Sequence, residues 1–143
     1  MHLKTHGFAL LLLLIIAIYS LACESDSGYT NQAENEVIGL IQHNVYFYLN
    51  EDVTDNERED FISGLMEMVQ ISTIKKSRIG TPATTDSREV TDHDFSISLT
   101  LWFESVEDHD LYQIDPEHTK MVESSSHLLS GVKVYDSLIF YEN

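Results

Sequence analysis

The chain has 143 residues, and 24 acidic side chains against eight Lys and Arg give it a net charge of −16. A surface this negative repels the phosphates of nucleic acids and the headgroups of anionic membranes, which argues against direct electrostatic binding to either. Cys23 is the only cysteine, which excludes an internal disulfide.

The N-terminal residues 1–22 have the pattern of a secretory signal peptide. Lys4 precedes an apolar run over residues 8–22, and a run of about 15 residues suits the hydrophobic region of a signal better than a membrane span. The run ends in Ser-Leu-Ala directly before Cys23, as in a bacterial lipoprotein signal. We expect cleavage before Cys23, a lipid on its thiol, and export to the cell envelope, in the periplasm or at the cell surface. An ordinary cleavage site beside an incidental thiol, and an uncleaved anchor, are the alternatives.

A polar tether over residues 23–36 separates the signal from a single domain over residues 37–141. The domain begins with a predicted strand over residues 41–49, because apolar and polar side chains alternate along it. His43 falls on the apolar face of this strand and Tyr46 on the other. One face of the strand is therefore predicted to be buried, with His43 inside.

A helix and a second strand follow. Thr54 and Glu57 have the spacing of a capping box, and apolar residues at helical intervals predict a helix over residues 55–71. A short strand is predicted over residues 74–79. The polar stretch over residues 83–93 is then a loop of about ten residues, a length at which loops commonly bind a ligand or lack structure.

The second half of the domain again combines strands and helices. Its predicted elements are a strand over residues 95–103, a short helix over 105–113, a longer helix over 116–129 and a strand over 132–141. Phe95 is expected on the apolar face of the third strand. Ser105 is the expected N-cap of the short helix, Pro116 suits the first turn of the longer one, and Gly131 is expected to end it.

The order strand, helix, strand, strand, helix, strand predicts an α+β fold of the ferredoxin-like kind, a four-stranded antiparallel sheet with helices on one face. The opposite face would carry Tyr46, Tyr48 and Trp102 among polar side chains. Aromatic side chains on a bare sheet face favour burial against another surface. Pairing with the same face of a second copy would cover them, so a two-fold homodimer is predicted.

Five segments of the domain follow one another in a distinctive order. They are residues 43–47 (HNVYF), 79–83 (IGTPA), 94–99 (DFSISL), 109–118 (HDLYQIDPEH) and 132–137 (VKVYDS). Together, over about residues 40–138, they resemble the stress-responsive dimeric A/B barrel (Dabb) family. The resemblance implies a ferredoxin-like protomer and a dimeric α/β barrel with apposed sheets, in agreement with the exposed-face argument.

The resemblance also implies a candidate catalytic site. In the plant polyketide cyclases of this family, a tyrosine and a histidine beside a cavity between sheet and helices carry out acid–base chemistry. Tyr112 and His118 match these two positions, and His43 matches a histidine on the first strand that borders the same cavity. An imidazole suits this work because it titrates near neutral pH. Each of the three side chains could instead be a packed, hydrogen-bonded core residue.

An acid-rich segment raises the question of a metal site. Asp108, His109, Asp110, Asp115 and His118 are dense in carboxylate and imidazole groups. Within the domain no His-x-x-x-His or Cys-x-x-Cys spacing occurs, so an exposed acid-rich helix is the predicted explanation and no metal is predicted. The sequence also has no glycine-rich phosphate loop, and no cofactor is predicted.

Three functions are consistent with these patterns. The first is binding of a small, largely apolar molecule in an internal cavity. The second is a cofactor-free lyase or cyclase acting on a polyketide-like or dicarbonyl substrate, with His118 as base, Tyr112 polarising a carbonyl and His43 orienting the substrate. The third is a dimerisation or partner-docking module of the cell envelope. A filled interior beside His43 and His118 would exclude the first two.

Lipidation at Cys23 is tested by growing bacteria that express the full-length chain with labelled palmitate. We expect label in the wild-type chain and none in Cys23→Ala, because this thiol is the attachment point of the predicted signal. Equal labelling of the two chains would contradict a lipid anchor.

Overall fold

A computed structural model of the chain describes residues 39–142. The predicted signal over residues 1–22, Cys23 and the tether over residues 23–36 lie outside the described residues. Within the described range, no helix combines the length and the apolar character needed to cross a membrane. Residues Glu36–Asn143 form one compact unit around its own hydrophobic core, which is the property of a domain that folds on its own.

The described residues form four strands and three α-helices. The strands are β1 (Ile41–Leu49), β2 (Lys76–Gly80), β3 (Ile97–Phe103) and β4 (Leu129–Leu138). The helices are α1 (Asp55–Met68), α2 (Val106–Gln113) and α3 (Pro116–Ser125), and a 3₁₀ turn (Ser126–Leu128) joins α3 to β4. This is the predicted α+β order, with the second helical region divided in two.

The four strands form one antiparallel sheet in the order β2-β3-β1-β4, which confirms the ferredoxin-like sheet. The central strand β1 places His43 opposite Leu101 of β3 and opposite Asp136 of β4. Directly opposed residues of antiparallel strands have side chains on the same face. The register of β1 therefore brings Asp136 beside His43.

The helices cover the face of the sheet that carries His43. The inward side chains of β3 are at most 1% exposed, namely Ile97, Leu99, Leu101 and Phe103. Helix α1 contributes Phe61, Leu65 and Met68 to the same core. Continuous burial of this kind is the main source of stability for a domain of this size.

Gly64 marks a close approach between two helices. A Cβ atom at this position would lie 2.6 Å from Sδ of Met121 on α3. Glycine inside a helix costs about 1 kcal/mol relative to alanine. A larger side chain at position 64 would require the thioether end of Met121 to move.

The helix starts are capped as predicted. Oγ1 of Thr54 accepts a hydrogen bond from the backbone N–H of Glu57, and the Glu57 carboxylate accepts one from the Thr54 N–H at 2.8 Å. Ser105 caps α2 by accepting from the N–H of Asp108, and Pro116 occupies the first turn of α3. These caps satisfy N–H groups that have no partner within their helix.

The predicted boundary between the last helix and the last strand was wrong. Strand β4 begins at Leu129, where a helix was expected, and Gly131 lies inside the strand instead of ending a helix. The apolar pair Leu128 and Leu129 fits helical spacing and strand alternation equally well, so periodicity alone does not separate them. The carbonyl of Leu128 accepts from the N–H of Asn50 at 2.9 Å, a long-range contact that ties the turn to the end of β1.

The prediction for Phe95 was also wrong. Strand β3 begins at Ile97, and the ring of Phe95 packs edge-on against Tyr46, 5.1 Å between centroids, on the face away from the helices. Ser96 explains the change, since its Oγ accepts from the backbone N–H of Leu49 at 3.1 Å and interrupts the alternation. The ends of α1 and β2 differ from their predicted positions by one to three residues.

The outer face of the sheet carries aromatic side chains, as predicted. Tyr135 is 58% exposed and its ring contacts that of Tyr46 at 6.2 Å. The long loop before β3 reaches this face through Asp92, whose carboxylate accepts from Tyr48 Oη at 2.8 Å and from Lys133 Nζ at 2.9 Å. The hydrogen bond from Lys133 is the main cause that lowers the pKa of Asp92 to about 2.

The aromatic outer face of the sheet predicts a homodimer, and sedimentation tests this prediction. We expect residues 36–143 to sediment at about twice the protomer mass, and Tyr135→Asp to shift the protein to a monomer, because a charge would be buried between the two sheets. Val106→Asp, at a 61% exposed position on α2, is the control and should remain dimeric. A wild-type monomer at micromolar concentration would refute the prediction.

Candidate functional site

A cavity of about 380 Å³ lies between the sheet and the helices. Apolar side chains from β1, β4, α1 and α3 form most of its wall, among them Val45, Phe61, Leu65, Val122 and Val134. One end is polar and is lined by His43, His109, Tyr112, Gln113, His118 and Asp136. The structure therefore brings together all three predicted site residues, His43, Tyr112 and His118.

His43 occupies the inner face of β1 and is 5% exposed. Its Nδ1 lies 2.6 Å from Oδ1 of Asp136, the residue opposite it in the sheet register. Because a carboxylate only accepts hydrogen bonds, Nδ1 carries the proton and Nε2 keeps a free lone pair. Burial lowers the pKa of His43 below its ordinary value, although the hydrogen bond to Asp136 acts in the opposite direction.

Tyr112 lies near the end of α2 and is 2% exposed. Its hydroxyl donates to Sδ of Met68 at 3.7 Å, its one hydrogen-bond partner among the described residues. A thioether is a weak acceptor, so this buried donor is poorly satisfied. Burial raises the pKa of the phenol above its ordinary value of 10.0, and Tyr112 is a neutral donor at physiological pH.

His118 lies in the first turn of α3, and its ring centroid is 4.4 Å from that of Tyr112. Its Nδ1 donates to the backbone carbonyl of Gln113 at 3.1 Å, which leaves the lone pair of Nε2 available. Burial lowers the pKa of His118, while the Gln113 carbonyl and the nearby Asp115 carboxylate act to raise it. His118 is therefore a second neutral imidazole with a free acceptor nitrogen.

His109 is a site residue whose place the sequence did not predict. Its ring lies 5.2 Å from His43 and 5.5 Å from Phe103, and its side chain is 18% exposed. Its Nδ1 donates to Asp110 and its Nε2 accepts from the amide of Gln113, both at 3.2 Å. The sequence feature that could have identified it is the three-residue spacing from His109 to Tyr112, which puts both residues on one face of a helix.

The acidic residues near His109 do not form one ligand cluster with the histidines. Asp108 accepts from Ser105 at the start of α2, and Asp115 caps α3 by accepting from the N–H of Glu117 at 2.8 Å. These carboxylates act at helix N-termini, where negative charge is stabilising. Asp136, which the sequence analysis did not select, is the carboxylate that reaches the site, and only the register of β1 with β4 identifies it.

The four rings of His43, His109, Tyr112 and His118 thus form a continuous polar end to a cavity whose remaining lining is largely apolar. Two neutral imidazoles offer acceptor nitrogens, and one neutral phenol offers a donor. Such a set can hold a molecule with an apolar body and one hydrogen-bonding end, and it can also move a proton.

A ferredoxin-like domain with a cavity of this kind defines a class of small α+β proteins, and comparison with known families identifies the family. The sequence profile of the stress-responsive A/B barrel domain (Dabb) matches residues 41–139. Since this match covers most of the chain, the protein belongs to that family. No curated protein sequence matches it.

Solved structures of similar fold come from bacteria and plants. A dimeric ferredoxin-like protein of unknown function from Thermobifida fusca shares 17% identity and a TM-score of 0.59, over 70% of this chain and 91% of its own. An Arabidopsis thaliana protein shares 21% identity with this chain at a TM-score of 0.61, over 72% of this chain and 98% of its own. The hydroxynitrile lyase from Passiflora edulis shares 15% identity at a TM-score of 0.63, over 73% of this chain and 96% of its own. These likenesses establish the fold.

The protonation of His118 can be followed by NMR in metal-free buffer. We expect its imidazole to titrate below the ordinary value of 6.5, and Asp115→Asn to lower the titration point further because a favourable carboxylate is removed. Asparagine also caps helices, so the fold should be kept. Asp108→Asn, which removes an acid that does not act on His118, is the control. Titration at or above 6.5 would contradict the burial of this ring.

The lowered pKa of His118 also makes the stability of the fold depend on pH. Because the folded pKa of His118 lies below the unfolded value, its contribution to the free energy of unfolding is complete above about pH 6.5 and is lost as the pH falls through the folded pKa.

Proposed function

We propose that this protein binds a small, largely apolar molecule in the cavity between sheet and helices. The observation that carries the proposal is a largely apolar cavity of about 380 Å³ with its imidazole, phenol and carboxylate groups gathered at one end. Ligand sites typically have volumes of about 300 to 1,000 Å³ and combine apolar walls with a few placed polar groups. A volume near the lower limit favours a ligand of small size.

The polar end of the cavity favours a ligand with one oxygen-bearing group. Among residues 39–142 the Tyr112 hydroxyl has only the thioether of Met68 as partner, so a ligand carbonyl or hydroxyl would be a better acceptor. The free Nε2 atoms of His43 and His118 can accept a hydrogen bond from a ligand hydroxyl. The ligand's oxygen is then placed among these rings, and its apolar body lies along Val45 and Leu65.

The cellular setting is part of the proposal. A cleaved signal over residues 1–22 and a lipid on Cys23 would attach the domain to the cell envelope as a lipoprotein. The ligand would then be an envelope or environmental molecule. Because the chain is strongly acidic, the domain would be held near the membrane by its lipid and not by a basic surface.

A second candidate is a cofactor-free lyase or cyclase, favoured by the His43–Asp136 pair, because a carboxylate that fixes the tautomer of an imidazole is a recurring part of acid–base sites. In this reading His118 Nε2 removes a proton from carbon next to a carbonyl, Tyr112 donates to the carbonyl oxygen, and His43 orients the substrate. A neighbour of the same fold is a hydroxynitrile lyase. Turnover of a β-dicarbonyl compound by wild type, lost in His118→Ala, would distinguish catalysis from binding alone.

The third candidate, a partner-docking module of the envelope, has less support. Docking requires a surface, whereas the distinctive feature of this domain is internal. The open space beside His43 and His118 is the arrangement expected for a ligand or a substrate.

Ligand binding is tested by calorimetric titration of residues 36–143 with 4-alkylphenols of increasing chain length. We expect affinity to rise about fourfold for each added methylene until the cavity is full, as about 0.8 kcal/mol per buried methylene implies. Val122→Trp, which fills the cavity from α3, should weaken binding at least tenfold.

The matched control is Glu123→Trp, the next residue on α3, which is exposed and does not line the cavity. It should bind as wild type does. Equal weakening by both variants, or an affinity independent of chain length, would contradict binding in this cavity.

A further inference from the structure

We propose that His43, His109 and Asp136 form a binding site for one divalent transition-metal ion at the polar end of the cavity. One nitrogen of each imidazole and one carboxylate oxygen lie within 4.8 Å of one another. Protein ligands of such ions meet the metal at about 2.0 to 2.2 Å, so donor atoms around one ion lie a few ångströms apart. A small closing movement of the side chains would bring the three atoms to this spacing.

The donor set selects the kind of ion. Two imidazoles and one carboxylate suit zinc, iron(II), cobalt or nickel, whereas magnesium and calcium prefer an all-oxygen environment. The three groups contain no thiolate, which disfavours copper(I). We therefore infer a borderline divalent ion and use zinc and cobalt as probes.

The ligands come from three regular elements, which fixes their relative positions. His43 and Asp136 are directly opposed on β1 and β4, with Nδ1 of His43 2.6 Å from Oδ1 of Asp136. On metal binding the ring proton of His43 would move from Nδ1 to Nε2, so that Nδ1 and the carboxylate both face the ion. His109 is in the first half of α2, 5.2 Å from the His43 ring between centroids. Side chains held by paired strands and a helix need little reorganisation to bind an ion.

The surroundings of His109 suit a ligand histidine. Its Nδ1 donates to the carboxylate of Asp110 at 3.2 Å, which favours a lone pair on Nε2. At present Nε2 accepts from the amide of Gln113, an exposed side chain that can turn away. Histidines that bind metals usually donate their other N–H to a carboxylate or carbonyl in this manner.

Access and charge also favour an ion here. The side chains of His43, His109 and Asp136 are 6%, 18% and 51% exposed, so the site is buried on one side and open on the other. His109 and Asp136 also border a shallow surface depression with Asp110 and Ser137. The net charge of −16 raises the local concentration of cations. Three protein ligands would leave coordination positions open to water or to an oxygen of a bound molecule.

The test uses residues 36–143 after treatment with a chelator and exchange into metal-free buffer. Titration with zinc chloride, followed by calorimetry, should show one ion per protomer, and cobalt(II) should give the absorption bands of a low-symmetry site. We expect His109→Gln and Asp136→Asn each to weaken zinc binding at least tenfold, since each removes one ligand.

The control is His127→Gln, an exposed histidine that lies away from the cluster and should leave binding unchanged. Circular dichroism of each variant identifies any that fail to fold. If His109→Gln does not fold, His109→Ala is used in its place. Absence of zinc binding, or unchanged binding in both His109→Gln and Asp136→Asn, would overturn the site. The inference is independent of the proposed function, because alkylphenol binding can be measured on the chelator-treated protein without added metal.

Discussion

The pairing of β1 with its two neighbours is the constraint on which the site depends. Because side chains in a strand alternate strictly, the register of β1 decides that His43 faces inward and that Asp136 lies opposite it. A shift of one residue would turn His43 to the outer face and separate it from Asp136. The buried side chains of β1 itself oppose that shift, since Val45 and Phe47 would have to leave the core.

Two helix starts complete the site that β1 begins. Ser105 and Asp115 cap α2 and α3, and these caps fix where Tyr112 and His118 fall along their helices. The backbone between the helices also contributes, since the Gln113 carbonyl sets the tautomer of His118. The result is a cavity whose polar atoms come from two strands and two helices and whose apolar wall is continuous with the core. Burial makes both His43 and His118 neutral bases and keeps Tyr112 protonated, which matches a ligand that carries a carbonyl or hydroxyl group.

The parts of the fold set by local patterns could be predicted from the sequence. Alternation identified β1 and most of β3, and the capping box at Thr54 identified the start of α1. The family resemblance placed His43, Tyr112 and His118 at one cavity, where the structure also has them. Phe95 and the start of β4 were not predictable in this way, because Ser96 and Leu128 act through backbone contacts with a distant strand. His109 was hidden among acidic neighbours, and Asp136 gains its role only through pairing across the sheet.

The central claim is that the cavity holds a small molecule with its oxygen among the four rings. The most direct measurement is a crystal structure of residues 36–143 with 4-pentylphenol. The account predicts density for the phenol between the sheet and α3, with its oxygen within hydrogen-bond distance of Tyr112 Oη and of Nε2 of His118 or His43. A cavity closed by inward movement of Met121 and Leu65, or the compound bound only on the outer face of the sheet, would contradict it.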